Sequence, residues 1–179
     1  MRIISGKFGK RRIQTPKNLI LRPTTDQAKE ALFNIINNRV YYDEIKVLDL
    51  FAGTGGISYE FISRGAQSVT SVENNLIHFK FITSVKKELE MNNLYPLKTD
   101  VFKFLSFNTE SYSIIFADPP FDMEHSDGIP DLIFEGNHLE KDGVFILEHS
   151  DKKDFSENPH FSEVRKYGKV HFSFFEKNH

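Results

Sequence analysis

The chain has 179 residues and a net charge of −2, with 39% apolar and 27% charged residues, which suits one folded domain with a substantial core. It contains no Cys, which excludes disulfides and thiolate chemistry. No apolar run approaches the roughly 20 residues that span a bilayer, and the opening residues lack the apolar core of a signal peptide. We therefore expect a cytoplasmic monomer without a membrane partner.

The N-terminal segment is basic, because seven basic residues precede the first acidic one, Asp26: Arg2, Lys7, Lys10, Arg11, Arg12, Lys17 and Arg22. A basic segment on an acidic body indicates a local anionic partner, although a solvated, flexible terminus would have the same composition. Two short β-like runs separated by glycines predict a basic hairpin or arm over residues 1–22, in the same domain as residues 23–179.

Helices and strands alternate along most of the chain. A helix is predicted over residues 25–38, where apolar residues recur at helical spacing. The predicted strands are Lys46–Leu50, Ser68–Val72, Leu94–Thr99, Ser113–Ala117 and Gly143–Leu147. The further predicted helices are Gly55–Arg64, Leu76–Met91 and Ile129–Glu135. This alternation predicts an α/β fold whose mostly parallel sheet is covered by helices on both faces.

The C-terminal segment has a different pattern. Two β-like runs, Phe161–Lys166 and Lys169–Phe175, are joined by a Tyr-Gly turn. The turn predicts an antiparallel hairpin at the end of the sheet, with the Phe-rich run as a core strand.

A glycine-rich turn follows the first predicted strand. Gly53 and Gly55 let the backbone approach a ligand, and the helix that follows offers free N–H groups. Such a turn binds several nucleotide cofactors or simply reverses the chain. Ser58 stands where the dinucleotide fingerprint requires a third glycine, and no Lys follows the glycines as in a phosphate-binding loop.

Asp49, at the end of the first strand and followed by Phe51, favours a ligand that bears an amine. Its carboxylate would repel a pyrophosphate but would accept a hydrogen bond from an ammonium group, directly or through water.

Acidic residues also follow the next two strands. Glu73, followed by Asn74, can hold both hydroxyls of a ribose. Asp100 can accept from an adenine amino group while Val101 or Phe102 packs on the ring. Glu73 and Asp100 could each cap a helix instead. Since ligands of open α/β sheets bind at the carboxyl ends of strands, the three ends together indicate S-adenosylmethionine.

The sequence Asp118-Pro119-Pro120-Phe121 follows the fourth strand at the same edge. The prolines fix the backbone, so that the Pro119 carbonyl and the Asp118 carboxylate form a pair of acceptors suited to an –NH₂ group. Phe121 would stack on the base that carries this amine, and Asp118 would take up its proton. A structural turn is the alternative interpretation of the motif.

Asp118-Pro119-Pro120-Phe121 resembles the (Asn/Asp/Ser)-Pro-Pro-(Tyr/Phe) signature of methyltransferases acting on base amino groups. The opening, with Arg2-Ile3-Ile4-Ser5-Gly6 and Leu21-Arg22-Pro23-Thr24-Thr25-Asp26, resembles the RsmD family, as does Asp49–Gly55.

The resemblance implies a class I, Rossmann-like methyltransferase fold with a seven-stranded sheet. It implies S-adenosylmethionine as methyl donor and a guanine N2 amine of 16S rRNA, in an assembled or assembling small subunit, as substrate. It also implies that Arg22, Thr24, Thr25 and Asp26 lie near the active site. Gln27 and Lys29 replace two arginines usual in the family.

Three other functions remain open at this point. A DNA adenine methyltransferase would share the catalytic motif, but the chain leaves little room for a domain that reads major-groove edges. A non-catalytic RNA-binding or ribosome-assembly factor would not need the motif. A nicotinamide-dependent oxidoreductase is disfavoured by Ser58. The seven His residues lack metal-ligand spacing, so we expect no metal site.

Overall fold

A computed structural model describes residues 1–16, 19 and 25–177 of the chain. The helices are α1 (Asp26–Ile36), α2 (Gly56–Arg64), α3 (Leu76–Glu88), α4 (Val101–Phe107) and α5 (Ile129–Glu135), with short 3₁₀ helices at Tyr42–Glu44 and Ser126–Gly128. The strands are β1 (Lys46–Asp49), β2 (Ser68–Glu73), β3 (Leu94–Lys98), β4 (Tyr112–Ala117), β5 (Leu139–Ser150), β6 (Phe161–Tyr167) and β7 (Val170–Glu176).

The strands form one seven-stranded sheet in the order β3-β2-β1-β4-β5-β7-β6. The first five strands in this order are parallel, whereas β7 runs antiparallel to both β5 and β6. The predicted α/β fold with an antiparallel C-terminal hairpin is therefore confirmed.

Helices cover both faces of the sheet, and side chains of one strand enter different cores. Val47 packs in the cluster that contains α1, α2 and α3, whereas Leu48 packs in the cluster that contains α4 and α5. In β7, Phe172 and Phe174 face the first cluster and Phe175 the second, as a core strand requires. Within the described ranges, no helix has both the length and the apolar character needed to cross a membrane.

Two elements differ most from the sequence prediction, and the ends of the other predicted helices and strands differ from the structure by at most three residues. Helix α4 was missed, because it has only seven residues and its apolar residues were assigned to ligand packing after β3. Strand β5 begins at Leu139 rather than Gly143, because Tyr112 pairs with Leu139 across a register shift in β4. The exposed residues Lys141 and Asp142 had concealed this start.

The N-terminal segment folds back on itself and packs on α2. Arg2 bridges to Arg12, and the Ile3 and Ile13 amides donate to the carbonyls of Arg11 and Met1 at 3.0 and 2.9 Å. These pairings are an isolated bridge rather than regular strands, so the β-runs predicted at residues 2–5 and 11–15 are present only as a hairpin-like loop.

Glu60, on α2, holds this segment in place although its side chain is fully buried. The carboxylate accepts from the Ile4 amide at 2.7 Å, from the Ser5 amide at 3.1 Å and from Arg64 Nε at 2.8 Å. Gly6 comes so close to the Ser63 carbonyl that an added Cβ would lie 1.8 Å from its oxygen. The fold thus couples the basic segment to the helix that follows the glycine-rich turn.

We predict that Glu60→Gln destabilises the protein by about 2 to 4 kcal/mol, because one backbone amide then faces an amide NH₂ instead of an acceptor. The midpoint of thermal unfolding should fall by roughly 5 to 15 °C. Glu88→Gln, at an exposed position of α3, is the control and should leave the midpoint unchanged. Equal midpoints for both variants would contradict the role of Glu60 in holding the segment.

Candidate active site

The carboxyl ends of β1 and β4 meet at one cavity. The two strands are neighbours, and the Leu50 amide donates to the Phe116 carbonyl at 2.9 Å. A cavity of about 280 Å³ opens above this pair, and its lining comes from the N-terminal segment, α1, the glycine-rich turn and both strand ends: Met1, Thr25, Asp26, Lys29, Asp49, Phe51, Ala52, Gly53, Thr54, Gly56, Ile57, Phe116 and Asp118. Of the predicted cofactor-binding and catalytic residues, five line this cavity: Thr25, Asp49, Phe51, Gly53 and Asp118.

The glycine-rich turn requires its glycines. Gly53 and Gly55 have φ values of 54° and 84°, in the left-handed region that favours glycine. A Cβ at Gly55 would also lie 2.5 Å from the Tyr59 ring. The Ala52 amide donates to the Val72 carbonyl at 3.0 Å, which attaches the turn to β2. Because Gly53 and Gly55 have no side chains, the backbone of the turn can approach a ligand closely.

Asp49 is a buried carboxyl whose two oxygens have different surroundings. Its Oδ2 accepts from the Ser58 hydroxyl at 2.6 Å, and Ser58 lies 2.6 Å from the Ser71 hydroxyl. Its Oδ1 has no hydrogen-bond partner among the described residues. Burial, opposed by the Ser58 hydrogen bond, raises the pKa of Asp49 to about 7. A cationic ligand group would satisfy Oδ1, and the ammonium of S-adenosylmethionine fits that requirement.

Glu73 links the end of β2 to the glycine-rich turn. Its Oε2 accepts from the Gly53 amide at 2.7 Å, and its Oε1 accepts from the Asn75 amide at 2.6 Å. Each carboxylate oxygen has a second lone pair, so both can still accept from ribose hydroxyls. Asn74, the next residue, is exposed, and Asn75 caps α3.

Asp100 caps a helix, which is the alternative role for this residue. Its Oδ1 accepts from the Lys103 amide at 3.0 Å, at the start of α4. Val101 is buried in the core cluster under α4, with Phe102 packed against it. The adenine contact assigned to Asp100 and Val101 remains a prediction, and neither residue lines the cavity under Asp49.

The Asp118 carboxyl enters the cavity from the end of β4. It lies two residues beyond Phe116, the register partner of Asp49, so the two carboxyls are on one face of the sheet. Burial, followed by the nearby Glu148 and Asp49 carboxyls, raises the pKa of Asp118 well above its usual value. Pro119 is buried, whereas Pro120 and Phe121 are exposed, with half of the Phe121 surface accessible. An exposed flat ring three residues after Asp118 suits stacking against a planar group, although Phe121 is not among the residues that line the cavity.

The predicted RNA-binding residues are spread along the N-terminal segment. Lys7, Lys10, Arg11 and Arg12 are all exposed. Arg12 forms a β-bridge with Arg2, the residue after Met1, which lines the cavity. Lys7 lies at the other end of α2, where its amide donates to the Ser63 carbonyl at 2.7 Å. The basic residues thus extend from the cavity along α2.

Three further predicted positions lie at or before the start of α1: Arg22, Thr24 and Thr25. Thr25 caps α1, accepting from the Ala28 amide, and it lines the cavity. Arg22 and Thr24 lie outside the described residues.

Sequence reasoning named Lys29 only as a departure from the family pattern, and it missed both the position of Lys29 in the cavity and the structural role of Ser58. Lys29 is 3% exposed, lines the cavity and donates through Nζ to the Arg2 carbonyl at 2.5 Å. Burial lowers the pKa of Lys29. Lys29 precedes Leu32 by three residues and Phe33 by four, so it lies on the apolar face of α1. This spacing was the signal in the sequence that the Lys29 side chain is buried. In the described ranges, no group of three or more His, Asp or Glu side chains could hold a metal ion.

Comparison with known proteins identifies relatives over nearly the whole chain. Residues 1–176 match the family described as conserved hypothetical protein 95. The chain is 30% identical to ribosomal RNA small subunit methyltransferase D of Buchnera aphidicola subsp. Baizongia pistaciae, covering 98% of this chain and 91% of that protein. It is 34% identical to the putative rRNA methyltransferase YlbH of Bacillus subtilis, covering 88% and 86%.

Solved structures show the same fold. The putative methyltransferase yhhF from Escherichia coli superposes with a TM-score of 0.87 at 24% identity, covering 99% of this chain and 97% of that one. The family match, the sequence relatives and the fold agree with one another. The chain belongs to the ribosomal RNA small subunit methyltransferase D (RsmD) family of class I methyltransferases, which use S-adenosylmethionine as cofactor.

Proposed function

We propose that this enzyme transfers a methyl group to the exocyclic N2 amine of a guanine in 16S rRNA, within the small ribosomal subunit or an assembly intermediate. The observation that carries the proposal is that Asp118 and Asp49 line the same cavity. Asp49 Oδ1 has no hydrogen-bond partner in the described part of the chain. The relatives named ribosomal RNA small subunit methyltransferase D support RNA of the small subunit as substrate. Guanine N2 is the atom that the family resemblance implies.

The residues at the glycine-rich turn would bind the cofactor. Asp49 Oδ1 would accept from its ammonium group, Glu73 from its ribose hydroxyls and Asp100 from its adenine amine. The Gly53 and Gly55 backbone would pass beside it with no side chain in between. S-adenosylmethionine, when bound, supplies an electrophilic methyl group on a sulfonium.

The Asp118–Phe121 turn would bind and orient the base. The Asp118 carboxylate and the Pro119 carbonyl would accept one hydrogen each from the amine, which orients the nitrogen lone pair towards the methyl group. Phe121 would stack on the base after it has left its helix. After methyl transfer the nitrogen is cationic, and Asp118 would take up one of its protons.

The N-terminal basic residues would bind the RNA backbone. Lys7, Lys10, Arg11 and Arg12 offer exposed positive charge along the N-terminal segment of a protein of net charge −2. Arg22, which lies outside the described residues, would bind RNA together with them. A protein that recognises RNA by its shape, its phosphates and one splayed-out base needs no separate domain for recognising base sequence. A duplex read along its major groove would need one.

We predict that Asp118→Ala lowers methyl transfer at least roughly 100-fold, because the amine loses both an acceptor and its base. Cofactor affinity, measured by calorimetry, should change little. The matched control is Asp122→Ala, an exposed aspartate on the same loop, which should retain activity. Methylated guanine would be mapped by mass spectrometry of 16S rRNA from cells lacking the gene and complemented with each variant. Near-normal methylation by Asp118→Ala would refute the catalytic assignment.

We predict that cofactor affinity weakens as the pH falls below about 7. The raised pKa of Asp49 means that the empty site holds a proton at lower pH, and a bound ammonium requires the ionised carboxylate. The dissociation constant should therefore rise by up to about tenfold per pH unit on the acidic side. Calorimetric titrations between pH 5.5 and 8.5 measure this change.

Asp49→Asn is the matched variant for that titration, and it should bind the cofactor weakly, with a smaller loss of affinity below pH 7 than the parent shows. The folded pKa of Asp49 lies above its unfolded value, so its ionisation lowers the stability of the protein as the pH rises from 3.8 to about 7. The variant should thus remain as stable as the parent, or more stable, above pH 7. A cofactor affinity in Asp49→Asn equal to that of the parent would show that Asp49 does not bind the ammonium group.

We predict that replacing Lys10, Arg11 and Arg12 by Ser weakens RNA binding in a salt-dependent manner. The slope of log affinity against log salt should become shallower by about 0.7 to 0.9 for each phosphate that the variant no longer neutralises. Lys46, Lys87 and Lys141 provide the control, because they are exposed near the opposite edge of the sheet. An unchanged slope in the first variant would remove this segment from the RNA interface.

A further inference from the structure

The loop that follows the catalytic turn has few anchors of its own. Between Phe121 and His125 the residues are exposed except for Met123, which is partly buried. The Met123 amide donates to the Pro120 carbonyl at 2.9 Å, so the position of Met123 is linked to that of Pro120. Whatever fixes Met123 also fixes the end of the turn that presents Phe121.

Ser126 fixes Met123 from the other side. Ser126 is 2% exposed, and its hydroxyl donates to the Met123 carbonyl at 3.0 Å. A hydroxyl has one proton, so once it has donated it can only accept further hydrogen bonds. Lys153 supplies the matching donor, since its Nζ lies 2.5 Å from the Ser126 oxygen. The chain of hydrogen bonds from Lys153 through Ser126 and Met123 ends at Pro120.

Lys153 itself belongs to a well-anchored part of the fold. It follows β5 closely, and its amide donates to the Ser150 carbonyl at 3.3 Å. Two residues later, Phe155 enters the core and packs edge-on against His149 and Phe175, at centroid distances of 5.0 and 5.8 Å. The Lys153 backbone is thus fixed to the sheet.

The ion pair between Lys153 and Asp127 contributes less than the hydrogen bond to Ser126. The two groups are 2.6 Å apart, but the Asp127 side chain is 74% exposed, so solvent screens the attraction. The ammonium–hydroxyl hydrogen bond lies against a buried residue and is charge-assisted. It is the interaction that should hold the loop.

We propose that Lys153 is a positioning residue that holds the loop after Asp118–Phe121 against the end of β5 and thereby sets where the substrate base docks. The proposal rests on the proposed function for the identity of the substrate, but the hydrogen-bond chain can be tested without it. Lys153 acts through Ser126 and Met123 and touches neither cofactor nor base.

The test compares Lys153→Met, which keeps the length of the aliphatic chain, with Lys152→Met at the adjacent exposed position. Amide hydrogen exchange over residues 121–128 should accelerate at least about tenfold in Lys153→Met and stay unchanged in Lys152→Met. Ser126→Ala removes the middle link and should reproduce the acceleration. It also serves as the test if Lys153→Met does not fold. Unchanged exchange in Ser126→Ala, or equal acceleration in the two lysine variants, would overturn the proposal.

Kinetics supply the second readout. In Lys153→Met, kcat/KM for the small-subunit RNA should fall by roughly 10- to 100-fold, since a small displacement of the docked base is costly. The cofactor dissociation constant should stay within about twofold, and Lys153→Arg should restore part of the activity. Faster exchange without any methylation by the parent enzyme would refute the proposed function and leave the positioning role standing. Normal kcat/KM with faster exchange would refute the effect on base docking.

Discussion

The arrangement of the site depends on the register of β1 against β4, which the hydrogen bond from the Leu50 amide to the Phe116 carbonyl continues beyond the end of β1. With that register, Asp49 lies opposite Phe116, and Asp118 follows two residues later on the same face. A slip of one residue would turn one of the two carboxyls to the opposite face of the sheet. Since both strands are buried, the register is strongly specified, and with it the shared cavity.

The same site combines groups that destabilise the empty protein. Asp49, Asp118 and Glu148 bring three carboxyls to neighbouring strand ends, and burial raises the pKa of the first two. Buried carboxyls that lie close together oppose folding when ionised, so their presence argues for a cationic ligand. A cofactor with an ammonium and a sulfonium would supply that charge. Apolar packing in the two cores on either side of the sheet offsets the destabilisation that these buried carboxyls cause.

The sequence predicted the fold, and it singled out Asp49, Gly53 and Asp118, which line one cavity, because its strongest signals are local: the apolar strands, the glycine-rich turn and the diproline turn. It missed what depends on residues distant in sequence. Glu60, one polar residue of a predicted helix, is the acceptor that holds the N-terminal segment. Lys153, a lysine in a loop between strands, reaches Ser126 across 27 residues. Helix α4 was missed because the residue before it, Asp100, suits both a cap and a ligand contact, and short segments give little periodicity.

The most direct test of the shared cavity is a crystal structure with S-adenosylhomocysteine bound, in which the ligand atoms can be located individually. The account predicts the ammonium group within hydrogen-bonding distance of Asp49 Oδ1, the ribose at Glu73 and the sulfur facing Asp118. Density that places the sulfur away from Asp118, or the ammonium away from Asp49, would contradict the claim that methyl donor and base amine meet at this edge of the sheet.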